Sequence, residues 1–231
     1  DSSKANLKVG EQIPLRDILM GLMLPSGNDA ALTGAVYIGR KINNNSSLSV
    51  DDAISSFCKL MNDRAKQLGA NNSNFINPHG YHDPNHYTTA KDLAIIAREA
   101  MKNQTFREVV ATNNYKTGDI SVLGGEGSKT NITHEWANSN CLLNKTINKY
   151  YYPYATGIKT GYTSDAGYCL VSSASKDGLD LISVVLNSNE KDRWTYSKGL
   201  FEYGFNNFKY HDLVSKEDVI HTSKVEGQGL N

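Results

Sequence analysis

A pair of β-patterned runs joined by an Asp-Gly turn is the feature that most constrains how this chain folds. The runs cover residues 167–174 and 179–186, and Lys-Asp-Gly at 176–178 joins them. Asp-Gly between such runs is a strong hairpin signal, because both turn residues tolerate positive φ. A third run at 157–163 precedes them across a short polar turn at 164–166. The sequence therefore predicts a three-stranded antiparallel meander.

The first strand of this meander carries Lys-Thr-Gly at 159–161. In a polar cleft, these three residues offer an ammonium group, a hydroxyl and a stretch of uncovered backbone. Together they can bind an extended peptide that ends in a carboxylate. The same letters recur at 116–118, followed by a glycine-rich turn, where we predict an exposed hairpin instead.

Two apolar helices with a sharp bend between them are predicted near the start of the chain. Apolar residues at helical spacing indicate a helix over 15–24 and a second one from about 30 to 40, with Asn28 or Asp29 as its N-cap. The bend would hold the side chains of Ser26 and Asn28 close to the core. Taken by itself, the same bend also fits a solvated turn that only caps a helix.

Three further helices are predicted over 51–68, 90–101 and 191–203, from apolar spacing and capping residues. Residues 105–133 are mostly polar and predict only short strands. The stretch 75–89 holds three histidines and an aspartate, but Pro and Gly make it an irregular loop without the His-Glu-x-x-His helix of zinc peptidases.

Five stretches, in this order, resemble the penicillin-binding D-alanyl-D-alanine carboxypeptidases. They are LMLPSGNDAAL at 22–32, NFINPHGYHDPNHYTTAKDLA at 74–94, WANSNCLL at 136–143, the Lys-Thr-Gly meander at 156–187 and RWTYSKGLFEYGF at 193–205. The resemblance implies an α+β fold of the β-lactamase/DD-peptidase type, with an antiparallel sheet flanked by helices and a helical subdomain. It also implies a catalytic domain over 1–205 and the start of a C-terminal β-domain over 206–231.

The resemblance assigns roles to individual residues. Ser26 would pass a proton to the leaving amine, and Asn28 would hold the amide carbonyl of the substrate and a catalytic lysine. Lys159 would place positive charge at the site. The implied catalytic set is Ser26, Asn28 and Lys159, and the implied substrate-binding set is Lys159, Thr160, Gly161, Tyr162 and Arg193. The stretch at 75–89 would be a structural loop beside the cleft. The stretch at 136–143 would be a packing element.

The acylating serine of this family and its lysine partner lie in a Ser-x-x-Lys motif upstream of Ser-x-Asn. We expect both to precede Asp1, so the chain alone would be an incomplete enzyme. Ser-x-x-Lys occurs in the sequence at 56–59, 173–176 and 188–191. We expect the first on a solvated helix face and the second along a strand, whereas the third follows Lys-Thr-Gly instead of preceding Ser-x-Asn.

The implied activity is removal of the terminal D-Ala from peptidoglycan stem peptides through a penicillin-sensitive acyl-enzyme. One alternative is a class A β-lactamase, but the Glu-x-x-Leu-Asn that activates its deacylating water does not occur. Another is a homologue that binds penicillin or cell-wall peptide without turnover. The sequence upstream of Asp1 would discriminate, because a Ser-x-x-Lys at a helix start there favours the enzyme.

Charge and composition narrow the partners. The chain has 24 Lys and Arg residues and 24 Asp and Glu residues, so its formal net charge is zero. It therefore lacks the excess of positive charge that is typical of proteins that bind nucleic acid. The longest apolar run, at 18–24, is too short to span a bilayer, and any membrane contact is expected through segments outside this chain. The three cysteines lack metal-ligand spacing. We expect no metal or cofactor, an extracytoplasmic location in a bacterial cell envelope, and stem peptides ending in D-Ala-D-Ala and β-lactams as ligands.

Overall fold

The computed structural model describes residues 2–124, 129–147 and 149–210. The helices in that part are α1 Leu15–Met23, α2 Asn28–Ile42, α3 Val50–Gln67, α4 Ala90–Ala100, α5 Gln104–Ala111 and α6 Asp192–Asn207. The strands are β1 Asn114–Lys116, β2 Ile120–Leu123, β3 Lys129–Ile132, β4 Glu135–Ala137, β5 Ala155–Thr163, β6 Gly167–Lys176 and β7 Leu179–Ser188. No described helix combines the length and the apolar character that a bilayer crossing requires.

The predicted three-stranded meander is confirmed. Strands β5, β6 and β7 form an antiparallel sheet in that order, with Lys159 opposite Val171. Asp177 and Gly178 join β6 to β7 with φ values of 51° and 80°. Both are left-handed, as the turn that matches the twist of a hairpin requires. Strand β5 is therefore an edge strand. It pairs with β6 on one side, and no described strand pairs with it on the other side.

The structure corrects the prediction for residues 105–133. Residues 104–111 form a helix, α5, whose N-cap is the side chain of Asn103. The predicted exposed hairpin is confirmed just after the second Lys-Thr-Gly, where β2 pairs antiparallel with the mostly exposed β3. Lys116 lies on β1, which pairs with β4, and its ammonium contacts Glu135 at 2.6 Å. Thr117 is buried, and its hydroxyl accepts a hydrogen bond from the backbone N–H of His134.

Helices α1 and α2 form the first core together with the segment 5–7 and Trp136. Here the expected N-cap is wrong, because α2 begins at Asn28 and its N-cap is Gly27, without a side-chain cap. The carboxylate of Asp29 instead accepts hydrogen bonds from the backbone N–H groups of Ala5 and Leu7, at 2.7 and 3.0 Å. Asp29 thus ties the start of the chain to α2.

Helix α6 covers the sheet through a second core. Trp194 and Phe201 are buried against Leu170 of β6, Leu142 and Tyr152. The packing role expected for 136–143 is confirmed, since Trp136 and Leu142 are both buried. The predicted C-terminal helix extends four residues beyond the expected end, to Asn207. Most of the expected C-terminal β-domain, residues 211–231, lies outside the described residues.

Two glycines in α2 give a matched test of how this helix, which carries Asn28 at its start, packs on α3. A Cβ on Gly39 would lie 2.1 Å from the backbone oxygen of Ala53 in α3, whereas one on Gly34 would have its nearest neighbour at 3.5 Å. We expect Gly39→Ala to lower the free energy of unfolding by about 2 kcal/mol through overpacking. We expect Gly34→Ala to raise it by up to about 1 kcal/mol through helix propensity. Urea unfolding of both variants measures this, and equal effects would contradict the packing described.

Candidate active site

A side-chain hydrogen bond connects the bend between α1 and α2 with strand β5. The ammonium of Lys159 donates a hydrogen bond to the Ser26 hydroxyl at 2.7 Å and another to the backbone oxygen of Thr160 at 2.8 Å. Ser26 and Lys159 lie far apart in sequence and on different parts of the fold. The structure therefore brings two of the predicted site residues into direct contact across the joint between the helices and the sheet.

Backbone geometry at the bend aims Ser26 at this contact. Ser26 has φ of 64°, a left-handed conformation that costs a non-glycine residue on the order of 1 kcal/mol. The next residue must be glycine, because a Cβ on Gly27 would lie 2.7 Å from the backbone of both Ala5 and Gly21. The N–H of Gly27 also bonds to the Gly21 oxygen. Tertiary contacts thus maintain a strained serine at the joint.

The pKa of Lys159 is lowered from 10.5 to about 8, chiefly by burial and further by the positive charge of Arg193. Burial removes water from the ammonium, and a second cation opposes its charge. The side chain therefore lies near the midpoint of its titration in mildly alkaline solution. An anion bound beside it would favour the charged ammonium and so oppose both effects, which makes the site electrostatically suited to a carboxylate.

Arg193, at the start of α6, supplies that second cation. Its guanidinium carbon lies 5.0 Å from the ring centroid of Tyr168 and 4.3 Å from that of Trp194. Its Nε is buried and has no hydrogen-bond partner among the described residues. Burial lowers the pKa of this guanidinium. Arg193 thus combines fixed orientation between two aromatic rings with an uncommitted donor.

Thr160, Gly161 and Tyr162 continue along β5 from Lys159. The Thr160 hydroxyl lies 2.7 Å from the hydroxyl of Ser139. Gly161 is exposed, and the Tyr162 ring is 60% exposed while it packs against Tyr168 with 4.3 Å between centroids. Since no described strand covers the outer edge of β5, its backbone groups are available to an added strand.

The role predicted for Asn28, toward the substrate and a lysine expected upstream of Asp1, stays a prediction, whereas Ser139 is a site residue that the sequence did not predict. The Asn28 side-chain amide donates to the Ser2 hydroxyl at 2.9 Å and does not contact Lys159. Ser139, in contrast, reaches the site although its stretch, 136–143, was expected only to pack. The one signal that could have identified it is its position as a small polar residue between two asparagines, in a segment that is otherwise apolar.

The histidine-containing loop lies beside the far end of β5. His79 and His86 use their Nδ1 atoms to accept hydrogen bonds from the backbone N–H groups of Tyr81 and Ile76, each at 3.1 Å. Burial lowers the pKa of both rings. His82 approaches Asp165, in the β5–β6 turn, at 3.7 Å. These contacts order the loop and place it next to the β5–β6 turn.

The serines of the Ser-x-x-Lys matches make no hydrogen bond to Ser26 or Lys159 within the described residues. Lys59 is exposed and paired with Asp63 on the surface of α3. Ser173 lies on β6 and bonds to the Thr156 hydroxyl. Ser188 ends β7, and its buried hydroxyl has no partner among the described residues. The local contacts of these serines thus differ from those of a nucleophile paired with its lysine.

The lowered pKa of Lys159 predicts a pH-dependent stability. Because the unfolded chain holds this proton more tightly than the folded chain, the folded protein is penalised below about pH 8, and the penalty fades as pH rises from about 8 to 10.5. We expect Lys159→Met to raise the free energy of unfolding by about 1–3 kcal/mol near neutral pH. Urea unfolding of both proteins across this range measures the difference. A difference that does not depend on pH would contradict the assignment.

Comparisons with known proteins are consistent with this geometry. A family model described as D-alanyl-D-alanine carboxypeptidase matches residues 1–190. The chain is 36% identical over 228 residues to the D-alanyl-D-alanine carboxypeptidase DacA of Haemophilus influenzae, covering 97% of this chain and 50% of that protein. It is 29% identical over 225 residues to DacF of Bacillus subtilis, covering 97% and 51%. The chain thus spans about half the length of these curated relatives.

A solved structure shows the same fold. The crystal structure of the Streptomyces K15 DD-transpeptidase superposes with a TM-score of 0.77 at 36% identity, covering 89% of this chain and 72% of that one. The α+β fold of the DD-peptidase type, predicted from the sequence, is therefore confirmed. With the family match over most of its length, the chain belongs to the D-alanyl-D-alanine carboxypeptidase family.

Proposed function

We propose that the whole protein is a serine D-Ala-D-Ala carboxypeptidase that removes the terminal D-Ala from peptidoglycan stem peptides. The observation that carries this proposal is the 2.7 Å contact between Lys159 and Ser26 beside the free edge of β5. It places a positive charge, a hydroxyl that can transfer a proton and an open strand edge at one place. Residues 1–205 would then belong to the catalytic domain, and 206–231 would begin a C-terminal β-domain.

The substrate would add to the sheet as an extra strand along β5. An extended peptide gains main-chain hydrogen bonds from an open edge, and side-chain pockets then select its sequence. The terminal carboxylate would lie near Thr160, whose hydroxyl can donate to it. Lys159 and Arg193 would supply the field that attracts the anion. This arrangement relieves the repulsion between the two cations.

The chemistry would proceed through an acyl-enzyme. A serine alkoxide, formed when the neighbouring lysine takes its proton, would attack the carbonyl of the penultimate D-Ala. Backbone N–H groups, one of them that of Tyr162, would stabilise the oxyanion, each worth about 3 kcal/mol. The C–N bond then breaks, and Ser26 relays the proton from that lysine to the departing D-Ala, which leaves the lysine neutral again. Water hydrolyses the ester and regenerates the serine.

The nucleophile is proposed to lie in sequence preceding Asp1, because no serine of the matching motif contacts Lys159 in the described part of this chain. Asn28 would exchange its hydrogen bond to Ser2 for contacts with the lysine of the Ser-x-x-Lys motif and with the substrate carbonyl. β-Lactams, which present a carboxylate and a reactive amide in similar positions, would acylate the same serine. The substrate places the protein in the cell envelope.

Fluorescent penicillin tests this proposal directly. We expect the full-length protein to be labelled covalently and to release D-Ala from a peptide ending in D-Ala-D-Ala. Residues 1–231 alone should not be labelled, since none of their Ser-x-x-Lys serines makes a hydrogen bond to Ser26 or Lys159 in the described part of the chain. The variants Ser56→Ala and Ser188→Ala of the full-length protein should label as the parent does.

Other outcomes separate the alternatives. Labelling of residues 1–231 that is lost in Ser188→Ala would assign the nucleophile to Ser188 and overturn our assignment. Binding of peptide by the full-length protein without labelling or turnover would favour the non-catalytic homologue. Hydrolysis of penicillin faster than peptide turnover would favour a β-lactamase.

The environment of Arg193 predicts how a conservative change behaves. Arg193→Lys keeps the charge but removes the Nε donor and the planar group between Tyr168 and Trp194. We expect KM for the D-Ala-D-Ala peptide to rise roughly tenfold, the loss typical of one charged hydrogen bond, with little change in kcat. Arg16→Lys, at an exposed ion pair with Glu108, is the control. An unchanged KM would remove Arg193 from the substrate-binding set.

A further inference from the structure

We propose that Ser139 is a positioning residue that sets the hydrogen-bond direction of Thr160 toward the substrate carboxylate. This inference rests on the proposed function and extends it to a residue that none of the comparisons assigns. It is carried by the contact between the hydroxyls of Ser139 and Thr160, at 2.7 Å, on the strand that would receive the peptide.

Ser139 touches both parts of the candidate site. Its hydroxyl contacts Thr160 on β5, and its backbone N–H donates to the oxygen of Leu24 at 3.0 Å. Leu24 ends α1, two residues before Ser26. Ser139 thus connects the helical bend with strand β5 through two hydrogen bonds, which are separate from the bond between Lys159 and Ser26.

The backbone on either side holds Ser139 in place. The side-chain amide of Asn138 donates to the oxygens of Val110 and Thr112, at 3.2 and 2.9 Å. Asn140 is fully buried, and its side-chain oxygen accepts from the N–H of Leu142. The side-chain oxygen of Asn138 accepts from the N–H of Asn140 as well. Between these two anchored asparagines, Ser139 is exposed, so its hydroxyl is not required to fill the core.

Proton counting gives the Ser139 hydroxyl its role. Each hydroxyl has one proton to donate, and two hydroxyls in contact use one of their two protons between them. A carboxylate accepts hydrogen bonds only, so it requires Thr160 to keep its proton for the ligand. That condition is met when Ser139 donates to Thr160. Ser139 thereby stabilises the one arrangement in which Thr160 binds the carboxylate, and lowers the cost of ordering it.

The arrangement predicts an effect on binding instead of chemistry. Ser139→Ala leaves Thr160 free to turn its proton toward the backbone or water, so the carboxylate is held less well in both the ground state and the transition state. Loss of such uniform binding raises KM and leaves kcat unchanged. Ser139→Thr retains the hydroxyl and should restore most of the affinity.

The test is a double-mutant cycle in the full-length protein, with release of D-Ala from an N-acylated tripeptide ending in D-Ala-D-Ala as the readout. We expect Ser139→Ala to raise KM about tenfold with kcat within about twofold, and Ser139→Thr to lie within about threefold of the parent. In a Thr160→Val background, Ser139→Ala should have no further effect, because the hydroxyl it orients is gone. Ser164→Ala, which removes an exposed hydroxyl bonded to Asp165, is the matched control.

An unchanged KM in Ser139→Ala, or an equal loss in the Thr160→Val background, would overturn the inference. If Ser139→Ala does not fold, as judged by its thermal unfolding, Ser139→Cys retains the shape with a weak donor and is expected to show the same rise in KM. Calorimetric binding of the tripeptide separates this inference from the proposed function. Binding that Ser139→Ala weakens, without any turnover, supports Ser139 and refutes the carboxypeptidase. Absence of binding by the parent refutes both.

Discussion

The hydrogen bond between Lys159 and Ser26 is the interaction around which the other features of the site are arranged. It places an amine with restricted access to water at the joint between helices and sheet, where the pKa of Lys159 drops to about 8. Such a group lowers the stability of the free protein, and an anion beside it would offset that cost. The left-handed backbone of Ser26 and the close packing of Gly27 serve the same contact.

The parts of the fold that could be predicted from the sequence are those with a local cause. Alternating apolar residues and Asp-Gly determine β6 and β7 without reference to other parts of the chain. Helix α5 was missed because it is only eight residues long and opens a stretch that is mostly polar, although Asn103 caps it. The N-cap of α2 was misplaced because Asp29 bonds to Ala5 and Leu7 instead of to its own helix. A hydrogen bond to residues so far away in the sequence cannot be recognised from the residues next to Asp29.

The site shows the same division between local and distant causes. The motifs around Ser26 and Lys159 were recognisable as short patterns, one at a predicted bend between helices and one on a predicted strand, in an order that resembles a known family. The contribution of Ser139 was not, because it depends on how two asparagines anchor a loop against α5 and thereby place one hydroxyl beside Thr160. The lowered pKa of Lys159 likewise depends first on its burial and then on Arg193, which the packing of α6 on the sheet brings near. Electrostatic properties of this kind arise from the assembled fold.

The most direct test of the account is a crystal structure of the full-length protein bound to a peptide ending in D-Ala-D-Ala. We expect the peptide to lie along the open edge of β5. Its terminal carboxylate should accept a hydrogen bond from the Thr160 hydroxyl, and Ser26 and Lys159 should face its last amide bond. A peptide bound elsewhere, such as the cavity of about 1000 Å³ between α4, α5 and the sheet, would contradict it.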